Sequence, residues 1–167
     1  MPYEKASLIW AGTSFPVQMK SSDAAGTLEF KLTAHGEDLM TETYKHDGAS
    51  FSFVGSTGET YEPPIPLMSF PLNSTERKSW KGTIKVGDAT EPGEATITST
   101  KDNLNLAGGK FDSVVKIEVA LSYKGGGKTE THRALKFWFA PKKGMVKREF
   151  GMSSSREPLP DFVADTK

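Results

Sequence analysis

The stretch Val114–Ala140, "VVKIEVALSYKGGGKTETHRALKFWFA", decides how this chain folds. Before its glycines, Val115, Ile117, Val119, Leu121 and Tyr123 occupy alternate positions, and after them Leu135, Phe137 and Phe139 do the same. A period of two with one apolar side describes strands with one face buried and one face wet. Gly127-Lys128-Thr129 imitates the end of a phosphate-binding loop. The first glycine of that motif would fall at position 122, which is Ser122, and a strand follows where the motif needs a helix. The stretch is therefore a hairpin with Gly126, Gly127 and Lys128 as its loop. A slip of one residue would turn a buried face outward. The register that keeps both apolar faces together pairs Ile117 with Phe137, Val119 with Leu135 and Glu118 with Lys136.

The same alternation recurs outward from this hairpin. Leu28, Phe30 and Leu32 share a side in "TLEFKLT", as do Trp80, Ile84 and Val86 in "SWKGTIKV", Ala95 and Ile97 in "EATITST", and Val146 and Phe150 in "MVKREF". Turn signals separate the runs: "HGED" from His35, "HDG" from His46, and "APKKG", where Gly144 suits a left-handed residue. "KVGDATEPGE" is expected to be a connection. "YEPPIPLMSFPL" is too rich in proline for a central strand and is expected to cross the core as an extended segment. The fold class is all-β, with little helix. Eight to ten short strands are expected in a strongly twisted antiparallel meander that curls into a half-barrel or barrel-like sheet. Residues 1–152 form one domain, and 153–167 ("SSSREPLPDFVADTK" in its fullest part) are expected to be a mostly disordered tail.

Composition narrows the function. The chain has 167 residues, 21 Lys plus Arg and 21 Asp plus Glu, so it lacks the basic excess of a nucleic-acid binder. It has no Cys, which excludes disulfides, a thiol nucleophile and thiolate-ligated zinc. No apolar run is long enough for a transmembrane helix, and "MPYEKASLIW" shows no signal peptide. His35, His46 and His132 fall in turns or on a polar face without metal-ligand spacing. There is no G-x-S-x-G elbow. Glu118 and Glu130 are solvated carboxylates of one hairpin, "KDNLN" lacks calcium-loop spacing, and Lys142-Lys143 belongs to a turn. No catalytic residue, metal or cofactor is expected.

Trp138 is different. It alternates against Phe137 and Phe139, so both faces of this strand are aromatic. Either a loop, the proline-rich segment or the tail covers it, or its face lines a pocket or groove. An apolar ligand face is assigned to Trp138, Trp80 and Phe70.

"WFAPKKGMVKREF" resembles a Trp-aromatic-Ala-Pro-x-x-Gly-hydrophobic-Val-Lys signature found near the end of a group of exported bacterial proteins. Phe70-Pro71-Leu72 with Ser79-Trp80, and "GKFDSVVKI" from Gly109, match two further segments of that group. Residues 65–151 carry the likeness. Such proteins are similar to the lipoprotein-carrier architecture, a curved antiparallel sheet with an apolar concave face, and "TETYKHDGASFSFVG" resembles its hairpins. Those carriers close the concave face with helices, whereas no amphipathic helix is legible here. The resemblance implies the periplasm or cell envelope and brings no catalytic residues. The one-sided alternation and the doubly apolar strand around Trp138 lead to the expectation of a non-enzymatic, exported all-β protein whose curved sheet holds an apolar or lipid-like ligand or a partner chain. The alternatives are an envelope structural or protein-interaction module without a small-molecule pocket, and thirdly a hydrolase with an unrecognised site.

Overall fold

The computed structural model describes residues 5–10, 13–69, 76–106, 109–125, 129–140, 144–151 and 154–158. The strands in chain order are β1 (Lys5–Trp10), β2 (Thr13–Ala24), β3 (Thr27–Ala34), β4 (Glu37–His46), β5 (Ser50–Ser56), β6 (Glu59–Ser69), β7 (Glu76–Val86), β8 (Ala89–Leu106), β9 (Gly109–Gly125), β10 (Thr129–Ala140), β11 (Gly144–Phe150) and β12 (Ser154–Pro158). Each pairs antiparallel with its chain neighbours, and β12 returns to β1, so the meander closes into a barrel. Closure removes the free sheet edges on which another chain could nucleate.

The hairpin that decided the reading pairs as its apolar faces require, with Ile117 opposite Phe137, Val119 opposite Leu135 and Glu118 opposite Lys136. The ladder reaches Thr129 and Gly125; Gly126, Gly127 and Lys128 lie outside the described residues. At His35–Gly36 both residues have positive φ (53° and 78°), which matches the twist of the flanking strands in a tight hairpin. Gly144 is left-handed as its turn signal implies, with φ of 79°.

Three expectations about the connections and the tail need correction. "YEPPIPLMSFPL" is strand as far as Ser69, paired with β5 along most of its length. Pro63, Pro64 and Pro66 have no N–H, and the β6–β7 ladder stops at Glu62 opposite Thr83. Beyond that point side chains bridge the seam. The Trp80 indole N–H donates to the Pro63 carbonyl at 2.8 Å, and Lys78 Nζ to Ser69 Oγ at 2.8 Å. "KVGDATEPGE" is a tight turn at Gly87–Asp88 followed directly by β8. Ser154–Pro158, placed in the tail by sequence, is the strand that closes the barrel; residues 159–167 lie outside the described residues.

Inward side chains fill the barrel. Leu8, Leu32, Tyr44, Ile65, Ile84, Ile117 and Phe137 are each 0% exposed. Aromatic rings interlock across the axis: Phe53 meets Phe137 at 5.4 Å and Phe150 at 5.3 Å between centroids, and Tyr44 at 5.3 Å. Outward positions such as Lys81, Lys85, Glu130 and Lys136 are polar. That is the reverse of a barrel whose outer band faces lipid.

A second core lies outside the barrel. β8 and β9 outrun β10, whose pairing with β9 ends at Phe139 opposite Val115. The hairpin beyond carries an irregularity between Asp102 and Leu104 and a left-handed Ser113 (φ 59°). Bulges of this kind bend a ribbon. Leu104, Phe111 and Val114 of this arm pack with Trp138, Ala140 and Val146 of β10 and β11. Val146 and Phe150 were expected on one face. The register shift between Trp138 and Phe139 separates them, putting Val146 in the outer cluster and Phe150 in the barrel.

Candidate functional site

The most concentrated chemistry is inside the barrel. Alternation on β4 sends Glu42 inward between Met40 and Tyr44. β11 and β12 place Arg148 and Arg156 opposite each other, and both also point inward. Glu42, Arg148 and Arg156 are each 0% exposed. Arg156 grips the carboxylate with two nitrogens, Nε donating to Oε2 at 2.8 Å and the terminal NH2 to Oε1 at 2.7 Å. Arg148 Nε donates to Oε2 at 2.9 Å, and the Tyr44 hydroxyl to Oε1 at 2.9 Å. Each carboxylate oxygen thus receives two donors, which is its full capacity.

The cations are held from behind as well. Arg148 donates to Ser154 Oγ at 2.7 Å and to Met40 Sδ at 3.3 Å, and lies 4.2 Å from the Phe150 ring centroid. Arg156 lies 5.4 Å from that of Phe30. Burial by itself would raise the Glu42 pKa. The charges of Arg148 and Arg156, with hydrogen bonds from Arg156 and Tyr44, outweigh it and hold the carboxyl at about 2. Burial, followed by the Glu42 charge, pushes the Tyr44 hydroxyl well above its ordinary value. With the carboxyl held low and the hydroxyl held high, the constellation is a charge clamp that ties β4 to β11 and β12.

A second ion pair lies nearby, since Glu42 pairs with Ser56 and Ser56 with Glu59. Arg133 donates to Glu59, which also accepts the Tyr61 hydroxyl at 2.7 Å. Burial lowers the Arg133 pKa, and burial first, then Tyr123, raises that of Tyr61. Beside Arg133 a groove of about 680 Å³ opens outward, lined among others by Ile9, His132, Lys136, Gly151, Ser154 and Ser155. Elsewhere on the surface, His46 Nε2 and Asp23 Oδ2 are 2.7 Å apart, both partly exposed. Asp47 beside them accepts the backbone N–H groups of Ala49 and Ser50, which lowers its pKa and fixes the turn. Among the described residues, no three His, Asp or Glu side chains gather as a metal site.

Of the residues assigned to a ligand face, Trp80 and Trp138 lie in separate clusters. Trp80 is 4% exposed in the barrel core, against Tyr61 at 6.1 Å. Trp138 is 5% exposed on the outside, covered by the β8–β9 arm, with Asp102 accepting its indole N–H at 3.4 Å. Phe70 lies outside the described residues. Sequence reading missed the Glu42 network; its one signal was a charged residue at an inward parity position on β4 and β11. No family model, curated protein or solved structure matches the chain.

Proposed function

We propose that this barrel is a non-enzymatic, protein-binding module of the cell envelope that acts through its outer surface. The filled interior carries the reading. Residues on the axis such as Phe53 and Phe137 are 1% and 0% exposed, so they border neither solvent nor a water-sized void that could receive an acyl chain. The groove of about 680 Å³ by contrast opens to solvent and mixes Ile9, Ala134 and Gly151 with His132, Lys136 and Glu149 in its lining, a composition suited to a polypeptide. The envelope location rests on the resemblance of the 65–151 segment alone.

The chain has no Cys, so single cysteines report cleanly. Ala134→Cys, exposed in the groove lining, carries a photo-crosslinker and should trap a discrete protein partner in an envelope fraction. Lys85→Cys, exposed on β7, should not. Equal trapping at both positions would remove the groove as the binding face. Saturable quenching of tryptophan fluorescence by a fatty acid would restore the lipid-carrier reading in its place.

A further inference from the structure

We infer that Arg148, Arg156 and Tyr44 form a carboxylate receptor inside the barrel, occupied in the native chain by Glu42, and that a free monocarboxylate of acetate size takes that place once the Glu42 carboxylate is withdrawn. Four donors from β4, β11 and β12 converge on the two oxygens at 2.7–2.9 Å. They are held independently of Glu42. Ser154 Oγ and the Phe150 ring fix Arg148, and the Phe30 ring backs Arg156. A forked guanidinium held in place favours a planar carboxylate over a spherical anion.

The size of the ligand follows from the chemistry of truncation. Glu42→Ala removes Cγ, Cδ and both oxygens, which are the heavy atoms of acetate. Ser154, whose hydroxyl accepts from Arg148, also lines the outer groove, so the clamp adjoins a solvent-facing surface through that residue. The inference concerns the barrel interior and stands or falls apart from the outer-surface function.

The test is thermal unfolding of Glu42→Ala at pH 7 in sodium acetate and in sodium chloride of equal ionic strength. Two buried guanidiniums without their carboxylate should lower the midpoint by roughly 10 °C in chloride. Acetate should raise it saturably, as a ligand specific to the folded state does. Isotope-labelled acetate should show a bound NMR signal. Glu42→Gln, whose amide fills the space, should be indifferent to acetate, and propionate should act more weakly than acetate. If Glu42→Ala does not fold in chloride, refolding yield becomes the readout, and acetate should raise it. Equal midpoints or equal yields in the two salts would overturn the inference, as would an acetate effect of the same size on Glu42→Gln.

Discussion

Arg148 and Arg156 sit opposite each other across the β11–β12 ladder and both donate to the same oxygen of Glu42, at 2.9 and 2.8 Å. Two like charges side by side in an apolar barrel are tolerable only because one carboxylate lies between them. The contact ties β4 to the two strands that complete the barrel, and so joins the early part of the chain to its end.

That tie makes stability depend on acid. Glu42 has a folded pKa of about 2 against an ordinary 4.5, so the unfolded chain binds the extra proton first as pH falls. The stabilisation is complete above about pH 4.5 and is lost as pH drops toward 2. For this fully buried group the shift corresponds to about 3 kcal/mol. Urea midpoints measured from pH 6 to pH 2 should fall across that window, and Glu42→Gln should flatten this component of the fall. An unchanged profile in the Gln variant would show that other carboxylates govern the acid limb.

Phe137 is embedded in the ring cluster, with Phe53 at 5.4 Å, Phe150 at 6.0 Å and Tyr44 at 6.3 Å between centroids. Phe137→Ala should cost roughly 3–5 kcal/mol in equilibrium denaturation, as removal of a fully buried phenylalanine does. A cost near zero would mean that the barrel collapses around the gap or was never packed there.

The barrel-like antiparallel meander was legible because its central strands carry apolar residues on one side only. The strands that sequence reading missed lack that pattern. β12 reads Ser-Ser-Arg-Glu-Pro, and among its described side chains the buried one is Arg156, a charge that periodicity scores as solvent-facing. β1 carries Leu8 inward yet leaves Ile9 36% exposed, which blurs its alternation. β6 was demoted because proline cannot donate to a ladder. The chain meets that constraint by letting β7 pair with only the first part of β6. The Glu42 clamp was missed for a related reason. Its two arginine partners lie more than a hundred positions away, and only barrel closure brings them to it.

The β6–β7 seam offers a sharp test of close approach. At Gly82 an added Cβ would lie inside van der Waals contact of the Glu62 carbonyl oxygen and press on the Trp80 ring. The first of these is backbone and cannot rotate away. Gly82→Ala should therefore destabilise by roughly 1–3 kcal/mol, the range for overpacking, despite alanine's lower unfolded-state entropy. Glycine at position 87, at an open turn where an added Cβ would meet nothing, gives a contrast. Its substitution by Asn, which tolerates left-handed φ, should be nearly silent.

Trp138 decides how the outer core is built. Its ring is covered by Leu104, Phe111 and Val114 from the arm, its N–H is bound to Asp102, and Lys116 and Lys147 place their ammonium groups 5.7 and 5.2 Å from its centroid. The ring is thus structural cover on the polar side of the barrel. Trp138→Ala should cost roughly 3–5 kcal/mol, and no fatty acid should bind less well as a result. Phe111→Ala separates the arm from the barrel. It removes cover without touching the interior, so it should cost less than Phe137→Ala while shifting the emission of Trp138 to longer wavelength and increasing its quenching by acrylamide. Double-mutant analysis of Phe111 and Trp138 should give a coupling of about 0.5–3 kcal/mol, the range for residues in contact. Strict additivity would show that the arm is free in solution and that Trp138 faces water.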